Sequence, residues 1–333
     1  MAVYTKLTFE QINNFIKENY QIGQLKSFKE IIDGIDNSNF IINTDINGSE
    51  SRYILTIFEK RMENQDLPFF MNLKLHLAKQ GICCPRPIVN NNAQLISKIQ
   101  NKPAAIVTFL EGATLKPNSR GYYPNITENH CFQVGKNLAL LHNAASGFKG
   151  YRENDLGVRS LNNLFNKIDK ADLDNYKKDL GSQIKQYLDF LNKNWNDNLD
   201  SATVHVDLFP DNVFFDNQGN LSGIIDFYFA ANDLLIYDFA VIVNAWCFDA
   251  DNNFNRNKFD SAFAGYQQLR KFKKSELEFL DIALIGASAR FLLTRLYDLF
   301  NTPKDSLVKV KDPEEYLQKI GFFFKSFKLK QSL

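Results

Sequence analysis

The 333-residue sequence is poor in reactive and redox-active side chains, with only four cysteines, four histidines, three methionines and two tryptophans. Cys83, Cys84, Cys131 and Cys247 form one adjacent pair and no Cys-x-x-Cys, so the spacing offers neither a disulfide framework nor a thiolate zinc site. Structural thiols in a reducing compartment are the expectation. A surplus of one charge is also missing: 39 Lys+Arg stand against 38 Asp+Glu. That balance excludes a field built to hold nucleic acid or an anionic membrane, and points to a small-molecule partner. No apolar run approaches the ~18 residues of a membrane span. Residues 1–17 contain no signal-peptide core and carry Glu10, so a cytoplasmic location is expected.

What is present is a globular composition, 44% hydrophobic and 23% charged, of a length that suits two domains. Thr8 followed by Gln11, among Phe9, Ile12, Phe15 and Ile16, is a capping box opening an amphipathic helix. Residues 25–32, 40–45 and 53–58 read as strands, the last two joined at Asn47-Gly48 as a hairpin, with a polar turn over 34–39. Helical spacing returns over 67–79, stopped by Gly81, and strands over 93–99 and 104–109 complete a sheet of about five. Gly112, Pro117, Gly121 and Pro124 mark a linker. The expected division is therefore 1–110, an α+β lobe, and 111–333, a mainly helical lobe. In the latter, 3.6-residue apolar periodicity covers 129–145, 161–168, 174–195, 237–246, 259–271, 275–299 and 313–327. Two short strands, 213–215 and 221–225, interrupt the helices around Asn217-Gln218-Gly219-Asn220.

The densest chemical signal is His205-Val206-Asp207-Leu208-Phe209-Pro210-Asp211-Asn212, followed after that hairpin by Ile225-Asp226-Phe227. A His-x-Asp-Leu-x-x-x-Asn loop, a hairpin and Asp-Phe form the catalytic and metal-binding pattern of kinase-like phosphotransferases. In that chemistry Asp207 takes or orients the proton of an attacking hydroxyl. Asn212 and Asp226 hold Mg²⁺ against the phosphates of ATP, since a small hard cation prefers oxygen ligands and shares them with phosphate and water. His205 is expected to pack and orient the loop. An Asp-rich turn alone is ordinary; the coincidence of three spaced elements is not.

These motifs, together with Leu67-Pro68-Phe69-Phe70, His76-Leu77-Ala78, Pro85, Pro87, Lys102-Pro103-Ala104 and Tyr237-Asp238-Phe239-Ala240 through Trp246-Cys247, resemble the aminoglycoside-phosphotransferase and choline-kinase superfamily. Within it they are most similar to the homoserine kinases of the threonine pathway. The resemblance runs from about Asn39 to Asp298. It implies a two-lobed protein kinase-like α+β fold and ATP- and Mg²⁺-dependent phosphorylation of the side-chain hydroxyl of homoserine, with Asp238 bracing the catalytic loop. A kinase for choline, an aminoglycoside or another amino alcohol is the alternative, and a catalytically dead scaffold is disfavoured because Asp207, Asn212 and Asp226 are intact.

Two departures from the general kinase pattern stand out. Thr56 occupies the strand position of the usual phosphate-binding lysine, with Lys60 and Arg61 as substitutes, and its glutamate partner is missing near Phe70. The turn carrying Asp36, Asn37, Ser38 and Asn39 lacks Gly-x-Gly-x-x-Gly, yet backbone amides there can cradle phosphate. By the same resemblance, Thr108, Phe109 and Leu110 belong to the adenine-facing hinge. For the substrate, Arg290 and above all Arg295 are candidate carboxylate ligands, and Asn232 and Asp233 are candidates for the ammonium.

Overall fold

Thr8 caps the first helix, α1 (Phe9–Asn19), in the reciprocal manner expected: its hydroxyl accepts the Gln11 amide and its own amide donates to the Gln11 side chain. The structure is a computed structural model and describes residues 4–32, 37–59, 65–119, 121–303 and 310–331. The chain forms two compact units. The first runs to Glu111 and also takes in Phe148–Gly150 and Ser222–Ile225, segments that a linear cut at residue 110 leaves on the other side.

The first unit contains α1, strands β1 (Gln24–Ile31), β2 (Asn37–Ile46) and β3 (Ser49–Phe58), helix α2 (Leu67–Lys79), then β4 (Ser97–Ile99) and β5 (Lys102–Thr108). The strands form an antiparallel five-stranded sheet in the order β1-β2-β3-β5-β4. At the β2–β3 turn Asn47 and Gly48 both have positive φ, which matches the twist of the flanking strands. Alternate strand residues Phe40, Ile42, Leu55, Ile57, Ala104 and Ile106 pack with Ile12, Phe15 and Ile16 of α1 into one core.

Two expectations for this unit need correction. Asp36 lies outside the described residues, as do Lys60 and Arg61, but Asn37, Ser38 and Asn39 do not form a turn; they open β2, paired with Phe58, Ile57 and Thr56. Their side chains explain it. Ser38 is fully buried, its hydroxyl donating to Glu59 and accepting the Tyr4 and Thr5 amides, while Asn37 accepts the Glu59 amide. The strand expected over 93–99 shrinks to its last three residues, because the Asn90 side chain takes the amides of Asn92 and Gln94 and Ala93 adopts a positive φ.

The second unit holds β6 (Ala113–Thr114), α3 (Glu128–Ala145), α4 (Leu161–Phe165), α5 (Lys170–Tyr176), α6 (Leu180–Asn194), β7 (Ser201–Val204) and β8 (Val213–Phe215). The Asp216–Asn220 turn leads to β9 (Leu221–Ile224), most of which counts with the first unit, and then come β10 (Ala231–Leu234), α7 (Leu235–Trp246), α8 (Arg256–Gln267), α9 (Lys274–Asn301) and α10 (Glu314–Gln331). The helix expected over 174–195 breaks in two where Asp179 takes a left-handed conformation. Helix α7 is buried on nearly every side, as its apolar sequence requires. Helices α3 and α8 touch backbone to backbone: a Cβ on Gly135 would lie 2.0 Å from the Ala262 carbonyl oxygen, and one on Gly265 2.1 Å from that of Phe132. Among the described residues no helix is long and apolar enough to cross a membrane. Cys83 is exposed, the other three cysteines are buried, and none is paired.

Candidate active site

Strand β7, paired antiparallel with β10, delivers the chain into the loop 205–212, and β10 runs directly into α7. This places Asp238, in the first turn of α7, under the loop. Its two carboxylate oxygens accept the His205 amide at 2.8 Å and the Val206 amide at 2.8 Å. The same carboxylate lies 3.1 Å from His142 Nε2, whose Nδ1 is 2.7 Å from the Tyr266 hydroxyl. Burial pushes the Asp238 carboxyl up, but the hydrogen bond and charge of His142, with His205, outweigh it and hold the group below the ordinary range. A buried carboxylate with both oxygens occupied is a brace, not a reactant.

The brace is needed because Val206 has φ +53°, a conformation that a β-branched residue adopts only when its surroundings impose it. The Val206 carbonyl accepts a hydrogen bond from Arg290 of α9. Two residues on, the Leu208 carbonyl accepts from the Trp246 indole at 2.8 Å. His205 is buried, its ring 4.7 Å from that of Phe227, and its Nδ1 accepts the Asp207 amide at 3.3 Å; it orients the loop, as expected. The 205–212 loop is thus gripped from α7, from α9 and by its own histidine.

Asp207 emerges from this clamp with its side chain 20% exposed. The Asn212 amide nitrogen donates to the Asp207 carbonyl at 2.8 Å and to its carboxylate at 3.3 Å, which leaves the Asn212 side-chain oxygen as the end able to meet a cation. Arg290 lies 3.9 Å from the Asp207 carboxylate. Burial raises the Asp207 carboxyl above its ordinary value, with Arg290, then His205 and Lys311, working against the rise. Asp226, partly exposed, has φ +63° where β9 ends. The structure therefore brings Asp207 and Asn212 into contact and sets Asp226 at a strained corner. An amide oxygen and a carboxylate make an all-oxygen donor pair, which fits a hard divalent cation that completes its shell with phosphate and water.

The remaining candidates are each engaged by neighbours within the protein. Thr56 is buried in β3 and donates to the Asn39 side chain at 2.8 Å, so neither is free in the way a phosphate ligand would be. At the end of β5 the Thr108 amide and hydroxyl both pair with Arg86, and Phe109 lies under the Arg52 guanidinium at 4.3 Å. Leu110 sits against Gly223. Asp233 does not present its carboxylate to an ammonium: it accepts the Asn154 side chain at 2.6 Å and the Leu234 amide at 2.7 Å, and burial raises it to about 6. Asn232 is likewise taken, its oxygen accepting the Arg152 amide. Arg295 is nearly buried and ion-paired to Glu315 at 2.6 Å, while also donating to the Asp312 carbonyl. Arg290, weighed as a substrate ligand, instead faces the catalytic loop.

Sequence reasoning missed His142, Glu315 and Lys319. Lys319 is buried and bonds both the Asn244 carbonyl and Glu315. The available signal was phase: His142, Arg290 and Lys319 all stand at helix positions whose 3.6-residue neighbours are apolar.

The phosphotransferase enzyme family matches this chain over residues 27–272. A homoserine kinase from Agrobacterium fabrum is 42% identical over 323 residues, 97% of this chain and 95% of that protein. One from Bartonella tribocorum is 44% identical, with 97% of each chain covered. Among solved structures, an amicoumacin kinase in complex with AMP-PNP and Ca²⁺ superposes with a TM-score of 0.67 at 14% identity, covering 96% of this chain and 93% of its own. A choline kinase from Cryptosporidium parvum Iowa II does so at 0.65 and 15% identity, covering 98% and 97%. At such identities the solved structures speak for the fold, a protein kinase-like one.

Proposed function

Because the chain belongs to the phosphotransferase enzyme family, we propose that it phosphorylates the side-chain hydroxyl of L-homoserine with ATP, giving O-phospho-L-homoserine for threonine biosynthesis. The observation that carries this reading is the near full-length similarity to homoserine kinases, and the braced Asp207 loop supplies the chemistry. The substrate oxygen attacks the γ-phosphorus, the bond to the bridging oxygen breaks, ADP departs, and the hydroxyl proton passes to Asp207. General-base or orienting carboxylates of this kind contribute about 10²- to 10⁴-fold. Asn212 and Asp226 are the residues that would hold Mg²⁺, which neutralises charge on the transferring phosphate. Nucleotide contact is assigned to 108–110 and, outside the described residues, to Asp36.

Coupled ATP turnover against homoserine, choline and an aminoglycoside tests the reading: saturable, Mg²⁺-dependent turnover with homoserine alone is expected, and preference for either other acceptor overturns it. For the metal, Asp226→Ala should abolish the Mg²⁺ dependence of ATP affinity in calorimetric titration. Unchanged metal dependence would remove Asp226 from the ligand set.

A further inference from the structure

In the second unit a cleft enclosing about 420 Å³, open water at its mouth included, is lined by Tyr123, Phe209, Arg295, Lys311, Glu315 and Lys319 among others. It adjoins the catalytic loop: Phe209 lies two residues after Asp207, Tyr123 bonds Asp211, and Lys311 pairs with Asp211 at 3.7 Å. Its inner wall is a charged triad. Glu315 takes Arg295 on one oxygen at 2.6 Å and Lys319 on the other at 2.5 Å. Both cations also lie over the ring of Tyr316, at 4.5 and 4.7 Å, and the hydroxyl of that buried tyrosine has no hydrogen-bond partner among the described residues.

Two cations share one carboxylate here, which leaves one surplus positive charge. Removing charges from water is costly unless they are paired, and an ion triad that served stability alone would do better balanced. Donor capacity is also in surplus. The hydrogen bonds of Arg295 to Glu315 and to the Asp312 carbonyl both use one terminal nitrogen, so the rest of its five-donor fork can meet a second carboxylate. Lys311 and Asp249 complete the charged lining with opposite signs, so the whole cleft also carries one net positive charge. A cleft lined by a buried surplus cation and a half-buried carboxylate, Asp249, suits a small zwitterion.

We propose that the Arg295–Glu315–Lys319 triad is the carboxylate-recognition subsite of the acceptor, so that the enzyme selects α-amino acids over amino alcohols by charge. Glu315 neutralises one of the two cations and leaves the other charge for the substrate. The proposal rests on the reading of the chain as a homoserine kinase and adds to it the residues that choose the substrate.

The test compares L-homoserine with 3-aminopropan-1-ol, the same alcohol without its carboxylate, on the full chain. The wild-type enzyme should prefer homoserine by about 100-fold or more in kcat/KM, as an unmatched charged subsite imposes. Lys319→Met and Arg295→Leu should each raise the homoserine KM roughly 10- to 100-fold while leaving the ATP KM unchanged and causing no loss in the slow turnover of 3-aminopropan-1-ol. Glu315→Gln, which keeps a hydrogen-bonding group and raises the surplus to two charges, should lower the homoserine KM; this opposite sign is one that mere loss of packing cannot produce. Melting temperatures accompany each variant, and the Gln variant decides the matter should the other two not fold. Equal losses on both acceptors, an unchanged homoserine KM in folded variants, or a raised KM in Glu315→Gln overturns the subsite. Failure of the wild-type chain to use homoserine at all overturns the functional reading, whereas homoserine turnover without discrimination overturns only the subsite.

Discussion

In the proposed reaction Asp207 and Arg290 form the pair on which the chemistry turns. A carboxylate that must collect a proton at neutral pH needs to be ionised, and burial works against that. Arg290 opposes the rise while its other nitrogen holds the Val206 carbonyl, so one guanidinium both shapes the loop and charges its base. Asp207→Asn should therefore cut kcat by about 10²- to 10⁴-fold with nucleotide affinity nearly intact; near wild-type turnover would remove Asp207 from the catalytic role. Arg290→Lys keeps a charge but loses the planar fork. Its kcat/KM profile should show the acid limb displaced upward, since a weaker charge partner opposes the rise from burial less. A purely structural defect would lower the profile at every pH without moving that limb.

At the level of elements, much of the fold is legible because it is local. Helix α2 spans the residues its apolar spacing and following glycine indicate, and the β2–β3 hairpin turns at Asn47-Gly48. What could not be read is set by contacts distant in sequence. Asn37, Ser38 and Asn39 look like a turn until Glu59 and Thr56 draw them into β2. The catalytic loop was legible by motif and its partner Asp238 by resemblance, but His142, 96 positions before Asp238, carries no local mark of its role. The joint between β10, α7 and the loop depends on that pair. Asp238→Ala would leave two loop amides and His142 without their acceptor, so we expect a loss of about 3–5 kcal/mol together with collapse of kcat. Denaturant unfolding of the variant checks the first part. Retention of wild-type stability would mean that the loop is held by Arg290 and Trp246 alone.

Over the whole molecule, buried carboxylates pull the pH dependence of stability and that of activity apart. In Asp238 burial is outweighed by His142 and His205, and in Glu315 by the hydrogen-bonded Lys319 and Arg295, so both sit below their ordinary values. The unfolded chain binds those protons more readily, so their stabilisation is present above pH ~4 and is lost as pH falls further. Asp233 and Asp207 run the other way, raised by burial. For Asp233 the folded carboxyl sits at about 6 against an unfolded value near 3.9. Between those values the folded state keeps a proton that the unfolded state releases, and stability declines as pH rises through that window. The decline amounts to about 2–3 kcal/mol for this one group, or several degrees of melting temperature. The melting temperature should then peak on the acid side of neutrality, near pH 5. Asp233→Asn separates the two effects, since its carboxylate faces Asn154 and the Leu234 amide and not the catalytic loop. That variant should flatten the fall in melting temperature between pH 5 and 7 while its pH–rate profile keeps the wild-type acid limb. A fall as steep as in the wild-type protein would show that Asp233 is not the group responsible, and a displaced acid limb would mean that it acts on Asp207 after all.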